Sequence, residues 1–223
     1  CCSVEDVEDA RRVCQAIGAP HYFMNFEREF QEHVVDYFVK SYDQGRTPHP
    51  CLACNDKIKF DFLLRRALFL DADYIATGHY ARVAHNGNRY QLLKGTDQAK
   101  DQSYVLFTLS QSELEKLLLP VGEYQKGDIR KIALDADLPV ANKPDSQEIC
   151  FIPSGDYKQF IGERLVAKPG DIVDVEGNVV GTHPGIQFFT VGQRRGLGLK
   201  TNMSHANYVV EIDSESNQVT IGS

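Results

Sequence analysis

Apolar residues recur every three or four positions along much of the first 150 residues, which predicts a series of amphipathic helices. The first predicted helix carries Val7, Ala10, Cys14 and Ile17 on one face and ends at Gly18, so we expect Cys14 to lie in the core. The other predicted helical faces are Phe30-Val34-Phe38-Tyr42, Ile58-Phe62-Ala67, Leu114-Leu117-Leu118 and Ile129-Ile132-Ala133.

Short apolar runs between these repeats predict strands. Residues 21–25 suit a buried strand, and residues 73–79 form an apolar strand that ends in Thr77-Gly78-His79. Two further runs, 80–83 and 89–93, flank Asn86-Gly87 and predict a hairpin. The alternation of helices with strands is typical of an α/β protein.

The pattern changes after Pro153. A single helical repeat from Tyr157 to Leu165 is followed by alternating strand-type runs. These predicted strands cover residues 172–175, 179–180, 188–191, 208–212 and 218–221. We therefore predict a first domain over residues 1–153 and a second, smaller strand-rich domain over residues 154–223.

The composition narrows the classes of function. With 24 basic and 31 acidic side chains, the formal charge of −7 argues against a protein that binds nucleic acid by bulk positive charge. A polyanionic partner must then be met by local basic patches, although each of these could also be a solvated face. The candidates are Lys57, Lys59, Arg65 and Arg66, then Lys126, Arg130 and Lys131, and finally Arg194 with Arg195. The six cysteines show no disulfide-framework spacing, and no apolar run reaches the ~20 residues that span a membrane, so we expect a cytoplasmic location. The chain begins at Cys1 without a methionine, and we expect it to be part of a longer protein.

One proline-rich stretch contains the most unusual residue types, with Cys51 and Cys54 close together. Asn55 is predicted to cap a helix that begins after it, which places Cys54 just before a helix N-terminus. The partial positive charge of such a terminus, helped by Lys57 and Lys59, favours a thiolate over a thiol. The sequence therefore predicts a reactive Cys54.

The spacing Cys51-Leu-Ala-Cys54 is compatible with four kinds of site. A structural zinc site needs a second pair of ligands, and the only other close pair is the adjacent Cys1-Cys2. A redox motif of this spacing normally follows a strand directly. The third reading is sulfur or acyl chemistry at Cys54 with a distant cysteine, and the fourth is a loop with two small apolar side chains. The spacing by itself leaves all four open.

Gly78, His79 and Cys150 each allow a functional and a structural interpretation. Ligands gather at the carboxyl ends of strands in open parallel sheets, and a glycine there lets a nucleotide approach the backbone, so Gly78 is a candidate binding residue. A simple turn explains Gly78 as well, and a hydrogen-bonded core histidine explains His79. Cys150 lies in the run Ile149-Cys-Phe-Ile152, which on its own is typical of a small buried side chain.

Five motifs in a fixed order give the chain a specific resemblance across nearly its whole length. They are Gly45-Arg-Thr-Pro-His-Pro-Cys-Leu-Ala-Cys-Asn55 followed by Ile58-Lys-Phe60, Ala76-Thr-Gly-His-Tyr-Ala-Arg82, Lys100-Asp-Gln102, Asp145-Ser146 with Ile149-Cys-Phe-Ile152, and Thr190-Val-Gly-Gln-Arg194. In order and spacing they closely resemble the bacterial tRNA-specific 2-thiouridylases. The resemblance implies an α/β fold with a doubly wound, mostly parallel sheet of the Rossmann-like adenine nucleotide alpha hydrolase type, plus a smaller strand-rich domain.

The resemblance also implies the reaction, which is ATP-dependent transfer of a persulfide sulfur to the 2-position of the wobble uridine of tRNA. ATP, with Mg²⁺, adenylates the 2-carbonyl oxygen, and Gly78 contacts the ATP. Cys150 carries the persulfide sulfur, which a sulfur-donor protein delivers. Cys54 attacks the persulfide and leaves a Cys54–Cys150 disulfide.

The RNA contacts implied by the resemblance fall in three of the motifs. His49, Pro50 and Cys51 meet the target base. The residues that contact the tRNA elsewhere are His79, Lys100, Asp101 and Gln102. A flipped wobble base suits such a site, because RNA is usually recognised through unpaired bases.

Two departures from the family pattern modify these expectations. The pyrophosphate loop Ser-Gly-Gly-x-Asp-Ser and the C-terminal β-barrel of the family have no counterpart in the 223 residues. We therefore expect the chain by itself to bind ATP poorly and to be inactive. Cys51 stands where many family members have aspartate, which leaves open whether Cys51 shares in sulfur handling.

Two other functions remain as alternatives. A zinc-stabilised RNA-binding module would use Cys51 and Cys54 with Cys1 and Cys2 or a histidine, and it would not need Cys150. An ATP-pyrophosphatase-type synthetase would activate a small acid instead of RNA, and it would leave Cys54 and Cys150 without a role. The thiolation reading is preferred because it explains both cysteine contexts.

Overall fold

The computed structural model describes residues 4–145, 149–199 and 206–223. The chain divides into two units: the first comprises Cys1–His33 and Cys51–Phe151, and the second comprises Val34–Pro50 and Ile152–Ser223. Within the described ranges, no helix is both long enough and apolar enough to cross a membrane.

Helices predominate before residue 165 and strands after it. The α-helices are α1 (Val4–Ala16), α2 (Glu27–Phe30), α3 (Asp36–Asp43), α4 (Pro50–Ala53), α5 (Leu64–Phe69), α6 (Gln111–Glu115), α7 (Lys126–Asp135) and α8 (Tyr157–Gly162). Wider π-helical segments, Gln31–Val35 and Cys54–Leu63, join α2 to α3 and α4 to α5. The strands are β1 (Ile75–Ala76), β2 (Ala81–His85), β3 (Tyr90–Lys94), β4 (Leu117–Leu118), β5 (Gly170–Asp174), β6 (Val179–His183), β7 (Tyr208–Asp213) and β8 (Gln218–Gly222).

The first unit contains a parallel pair of strands, β1 and β4, in which Ile75 lies opposite Leu117. Strands β2 and β3 form the predicted antiparallel hairpin around Asn86-Gly87, where Gly87 has a φ of 84° that an L residue rarely adopts. The buried residues of this unit's main core are Phe60, Leu64, Ile75, Ala81, Val105, Leu106, Leu117 and Leu119. Residues from the Cys54 helix and from the strands therefore share one core.

The second unit contains a four-stranded sheet in the order β6-β5-β8-β7. Strands β5 and β8 are parallel, and the other pairs are antiparallel. The main core consists of Ile172, Ile186, Phe189, Leu197, Val209, Val219 and Ile221. Helix α3 belongs to this unit, and its Phe38 ring lies with its centroid 6.1 Å from that of Phe160.

Several local predictions are confirmed. Helix α1 ends shortly before Gly18, whose φ of 69° is typical of a helix C-terminus. Ser110 and Glu113 form a capping box at the start of α6, in which the Ser110 amide donates to Glu113 Oε2 at 2.6 Å.

Cys14 is only half-buried, and α1 contributes no buried residue, so the prediction of a core Cys14 is wrong.

Three predicted elements differ from the structure. Residues 21–25 form no strand, and Tyr22 and Phe23 are exposed, because no strand of the described residues provides a hydrogen-bonding partner for them. Leu117 and Leu118 form β4 instead of continuing a helix, since pairing with β1 satisfies their backbone. Residues 188–191 form no strand either, and the Thr190 amide donates to Gln193 Oε1 at 3.1 Å instead of to a neighbouring strand.

Candidate functional site

Cys54 lies inside a helical run and not before its start. The run begins at Pro50, and Cys54 is the first residue of the π-helical segment that follows α4. Proline is favoured at the first position of a helix because its missing amide hydrogen is not needed there. The prediction that Cys54 precedes the helix N-terminus is therefore wrong. The electrostatic field of a helix N-terminus is strongest in the first turn, and Cys54 lies beyond that turn.

Asn55 fixes this helix against the core. Its side chain is 2% exposed, and its Nδ2 donates to the carbonyl oxygen of Val105 at 2.9 Å. Asn55 therefore does not cap a helix as predicted. Because a buried amide must find a partner, this bond fixes the helical turn that contains Cys54 and Asn55 relative to the Ser103–Val105 turn.

The two lysines near Cys54 bind other groups. Lys57 Nζ lies 2.9 Å from Asp56 Oδ2, and this carboxylate raises the pKa of Lys57 above its usual value. Lys59 Nζ lies 3.4 Å from His79 Nε2. The structure thus gives these cations partners other than the thiol that they were predicted to activate.

Gly78 occupies the position predicted for a nucleotide-binding residue. It follows β1, at the carboxyl end of the parallel pair, and the Thr77 amide still donates to the Leu118 carbonyl at 3.1 Å. Gly78 is exposed, and no heavy atom lies within 4 Å of the position that a Cβ would take. This open backbone fits the close approach of a nucleotide.

His79 is buried beneath this turn, with 8% of its surface exposed. Thr77 Oγ1 lies 2.7 Å from Nδ1, and the Lys59 ammonium lies near Nε2. Burial, helped by the charge of Lys59, lowers the pKa of His79 to about 4. An ammonium group can only donate, so Nε2 accepts from Lys59, and Nδ1–H donates to Thr77. His79 is therefore neutral at pH 7 and supports the turn that carries Gly78.

Asp101 and Gln102 hold the backbone of the neighbouring loop. Asp101 Oδ1 accepts from the Gly95 amide at 2.8 Å, and Gln102 Oε1 accepts from the Tyr80 amide at 3.0 Å. Burial acts to raise the pKa of Asp101, but hydrogen bonds from Gly95 and Ser103 lower it below the usual value. These two predicted tRNA contacts thus bind backbone amides of the protein, whereas Lys100 is exposed and binds the side chain of Asp145.

Asp145 lies at the centre of a group of cations. Its carboxylate accepts from Lys100 Nζ at 2.9 Å, and it lies 3.1 Å from Lys126 Nζ and 3.3 Å from Arg130 Nη2. Lys100, followed by Lys126, lowers the pKa of Asp145 to about 2. Ser146, which belongs to the same sequence motif, lies outside the described residues.

Cys150 lies on an exposed turn, so the interpretation as a small buried side chain is wrong. The neighbouring Phe151 is half-buried, with its ring centroid 5.7 Å from that of Phe30 in an edge-to-face arrangement. Cys54, in contrast, is half-buried, and both cysteines are present as thiols in the first unit.

The remaining predicted base contacts lie where the chain passes from one unit to the other. His49 is exposed and Pro50 is buried in the second unit, while Cys51 is exposed in the first. Among the described residues, no group of three or more His, Cys, Asp or Glu side chains is arranged to hold a metal ion. Cys1 and Cys2, which the zinc alternative requires, lie outside those residues.

Sequence reasoning missed two features of this region. The bond from Asn55 to Val105 joins residues 50 positions apart, and no local pattern indicates it. Lys126 and Arg130 belong to a basic stretch that the sequence offers as a candidate patch for a polyanionic partner, but their contact with Asp145 was not predicted. Their spacing of four residues on a predicted helix would have placed them on one face, but the sequence gives no sign that they meet Asp145.

Two family models match the chain. The model described as the tRNA methyl transferase HUP domain matches residues 1–154, and the model described as the tRNA methyl transferase PRC-barrel domain matches residues 158–223. The HUP match, with the parallel strands of the first unit and the sheet of the second, confirms the predicted α/β class of Rossmann-like nucleotide alpha hydrolases with a second strand-rich domain.

The chain is also similar to proteins named tRNA-specific 2-thiouridylase MnmA. It is 51% identical to the protein of Carboxydothermus hydrogenoformans over 226 residues, 51% identical to that of Lachnoclostridium phytofermentans over 228 residues, and 48% identical to that of Halothermothrix orenii over 225 residues. Each alignment covers 100% of this chain but 61%, 63% and 62% of the respective relative. The chain thus spans about three fifths of the length of these relatives.

Proposed function

The chain belongs to the family of the tRNA-specific 2-thiouridylases, and from this premise we propose that it carries out ATP-dependent 2-thiolation of the wobble uridine of tRNA. The observation that carries the proposal is 51% identity to a protein of that name over 100% of the chain. Cys54 and Cys150 supply the two thiols that sulfur transfer requires, and both lie in the first unit.

The turn after β1 fits an adenine nucleotide. Gly78 leaves the backbone open, while Thr77 and His79 hold the turn in place from the buried side. ATP, bound with Mg²⁺, supplies the adenylyl group that turns the uridine 2-oxygen into a good leaving group. Gly78 provides the surface against which the nucleotide lies, and it can do so because a side chain at this position would fill the space.

The sulfur step uses both thiols. The terminal sulfur of a Cys150 persulfide attacks C2 of the activated uridine, and AMP leaves with the C–O bonding electrons. The Cys54 thiolate then attacks Cys150 Sγ, the sulfur–sulfur bond of the persulfide breaks, and its electrons stay on the new 2-thio group. In the alternative order, the Cys54 thiolate first attacks Cys150 Sγ of the persulfide and releases sulfide, and the sulfide then attacks C2 of the activated uridine. A Cys54–Cys150 disulfide remains, and a thiol reductant must return two electrons to it before the next cycle.

A donor protein supplies the persulfide sulfur. Cys150 suits this delivery because it is exposed on a turn, whereas Cys54 is half-buried in a helix. The disulfide requires the two Cα atoms to come within about 7 Å of each other. We propose that the exposed turn makes this approach, because the helix is anchored through Asn55.

The tRNA contacts follow from the same assignment. His49, Pro50 and Cys51 are proposed to meet the flipped wobble base, and Lys100 to bind the RNA directly. His79, Asp101 and Gln102 are proposed to act by holding the loops that face the RNA, since each is hydrogen-bonded within the protein. We further propose a cytoplasmic location and a domain division at residues 1–153 and 154–223.

Methyl transfer to tRNA is a second candidate, because the matching family models carry that description. It leaves Cys54 and Cys150 without paired roles. The proteins of Carboxydothermus hydrogenoformans and Lachnoclostridium phytofermentans align with the whole chain and carry the thiouridylase name, so thiolation is the stronger proposal.

The test is a single-turnover assay with the natural full-length protein, unmodified tRNA, ATP and a persulfide donor. Digestion of the tRNA and mass spectrometry of the nucleosides should reveal uridine in which one oxygen is replaced by sulfur. Cys150→Ser and Cys54→Ser should each reduce the rate by at least about a thousandfold, because each removes a reacting nucleophile. The control Cys14→Ser should retain the wild-type rate, since Cys14 lies on α1 and not in the proposed site.

Peptide mass spectrometry of the same reaction separates the alternatives. A Cys54–Cys150 linked peptide should accumulate in the absence of reductant. Thiolation that survives in both cysteine variants would contradict the mechanism. A methylated uridine formed with a methyl donor, with no sulfur incorporated under any condition, would contradict the thiolation proposal itself.

A further inference from the structure

Three cationic side chains of the first unit converge on the single carboxylate of Asp145. Lys100 comes from the loop after β3, while Lys126 and Arg130 come from α7. Their side chains are 43%, 31% and 47% exposed, so solvent and large ligands can reach the group. Three positive charges around one negative charge leave two positive charges uncompensated, in a chain whose formal charge is −7.

The protein holds the side chains of Lys126 and Arg130, the two cations on α7, in position before any ligand binds. Lys126 and Arg130 are four residues apart and therefore lie on one face of α7. Lys126 is held further, because its ammonium lies 5.3 Å from the centroid of the Tyr80 ring and its amide donates to Asp97 Oδ2 at 3.0 Å. The next residue, Lys131, is exposed on another side of the helix, and the described residues show no ion pair for it.

The present partner of these cations is easily exchanged. Ion pairs between exposed side chains contribute little to stability, because water solvates both partners well. A phosphodiester carries one negative charge on two oxygens, as a carboxylate does, and Lys and Arg side chains bind both. An incoming backbone phosphate can therefore replace Asp145 without a large loss of protein stability.

We propose that Lys126 and Arg130, together with Lys100, form a binding site for a backbone phosphate of RNA, and that Asp145 occupies this site in the free protein. The inference deepens the proposed function, because it takes RNA as the partner. The sequence assigns Lys100 to tRNA and offers Lys126, Arg130 and Lys131 only as a candidate basic patch, so the new elements are the joint site with Lys100, the role of Asp145 and the exclusion of Lys131. Pyrophosphate offers related chemistry, and the experiment distinguishes it from RNA.

The experiment measures the affinity of the natural full-length protein for tRNA by fluorescence anisotropy, without ATP, over a range of salt concentrations. Lys126→Ala is compared with Lys131→Ala, which removes the same charge from the same helix. Lys126→Ala should weaken binding about 3- to 10-fold and lower the slope of log affinity against log salt by about 1, and Lys131→Ala should leave the slope at its wild-type value. The double variant Lys126→Ala/Arg130→Ala should lower the slope by about 2.

Asp145→Asn gives a prediction of opposite sign. If Asp145 occupies the site, its neutral replacement should bind tRNA about 3- to 10-fold more tightly and steepen the salt dependence, because the competing charge is gone. A merely structural Asp145 would give the reverse, since its loss would disorder the loop. Weaker binding by Asp145→Asn, or equal effects of Lys126→Ala and Lys131→Ala, would overturn the inference.

A second arm titrates the same variants with inorganic pyrophosphate. The double variant should lose affinity for tRNA and keep that for pyrophosphate, and the opposite pattern would overturn the assignment to RNA. Wild-type protein that binds no tRNA in this assay would count against the proposed function. Wild-type binding with unaltered Lys126→Ala would count against this inference alone.

Discussion

The first unit contains two regions that are held together in different ways. The packed region is the helix and turn around Cys54, and it comprises Cys54, Asn55, Lys59, Phe60 and His79. The charged region is the ion-pair cluster of Lys100, Lys126, Arg130 and Asp145, and we count with it the exposed turn Cys150–Phe151, which follows Asp145 in the sequence. In the packed region Asn55 and His79 are less than a tenth exposed and are hydrogen-bonded. In the charged region the ion-pairing side chains are between 26% and 47% exposed.

This difference in burial and bonding indicates which of the two thiols, Cys54 or Cys150, is expected to move during the reaction. Buried hydrogen bonds are costly to break, because an unsatisfied polar group is left away from water. Exposed ion pairs exchange readily with water, salt or another anion. A thiol that must travel is therefore better placed in the charged region, and a thiol that receives it in the packed region.

The largest effect should come from the core of the packed region. Phe60 is fully enclosed, so Phe60→Ala should lower the free energy of unfolding by about 3–5 kcal/mol. Phe151 is only half-buried beside Cys150, so Phe151→Ala should lower the free energy of unfolding by only about 1–2 kcal/mol. Urea denaturation measures both values, with the exposed Phe69→Ala as the control near zero. Equal losses for Phe60→Ala and Phe151→Ala would remove the contrast between the regions.

An intermediate effect should come from His79 and should depend on pH. The folded protein holds the pKa of His79 at about 4, against 6.5 ordinarily, so between these values the unfolded chain binds more protons. Stability should therefore fall as the pH falls from about 6.5 to about 4, by roughly 1–3 kcal/mol from this residue. His79→Asn should remove that part of the pH dependence in urea denaturation.

Lys59→Met provides the matched comparison for this prediction. It keeps His79 and its burial, which is the main cause of the lowered pKa, but removes the neighbouring positive charge. The acid-induced loss should then become smaller without disappearing. An unchanged pH profile in His79→Asn would mean that the packed region does not hold this histidine neutral.

The smallest effect should come from Asp145. Its pKa is held at about 2, so its ion pairs stabilise the folded protein above pH 4 and are lost as the pH falls towards 2. Because the partners are exposed, Asp145→Asn should change the free energy of unfolding at pH 7 by less than about 1 kcal/mol. The difference in the free energy of unfolding between the wild type and this variant should be smaller at high salt than at low salt, because salt screens exposed charges. A loss above 2 kcal/mol would place Asp145 among the buried structural groups.

The sequence predicts the charged and packed regions to different extents. The helical face Phe30-Val34-Phe38-Tyr42, the Asn86-Gly87 hairpin and the capping box of α6 follow from local patterns, and they are found as predicted. Asn55 shows where local reasoning fails, since its residue type suggests a cap, yet a carbonyl 50 positions away satisfies it. For His79 the sequence allowed either a ligand-binding or a core role, and only burial by distant residues places it beneath the turn.

The start of the Cys54 helix was predictable in principle. The helix begins at Pro50, and proline is a favoured first residue of a helix because its missing amide hydrogen is not needed there. The ion-pair cluster was not predictable, because Asp145 and Lys100 are 45 positions apart and no periodicity links them. Contacts between distant loops depend on how the chain folds back, and a single sequence does not encode that in any local pattern.

The π-helical segment Cys54–Leu63 has a consequence for how the chain tolerates changes in length. The Leu64 amide donates to the carbonyl of Lys59, five residues back, so each turn here holds more residues than the 3.6 of an α-helix. A π-helical turn can become an α-helical turn by losing one residue, and the flanking helices then keep the same faces towards the core. Removal of one residue between Asp61 and Leu63, beyond the contacts of Asn55, Lys59 and Phe60, should therefore be accepted more readily than within α7, where it would rotate Lys126 relative to Arg130 by about 100°.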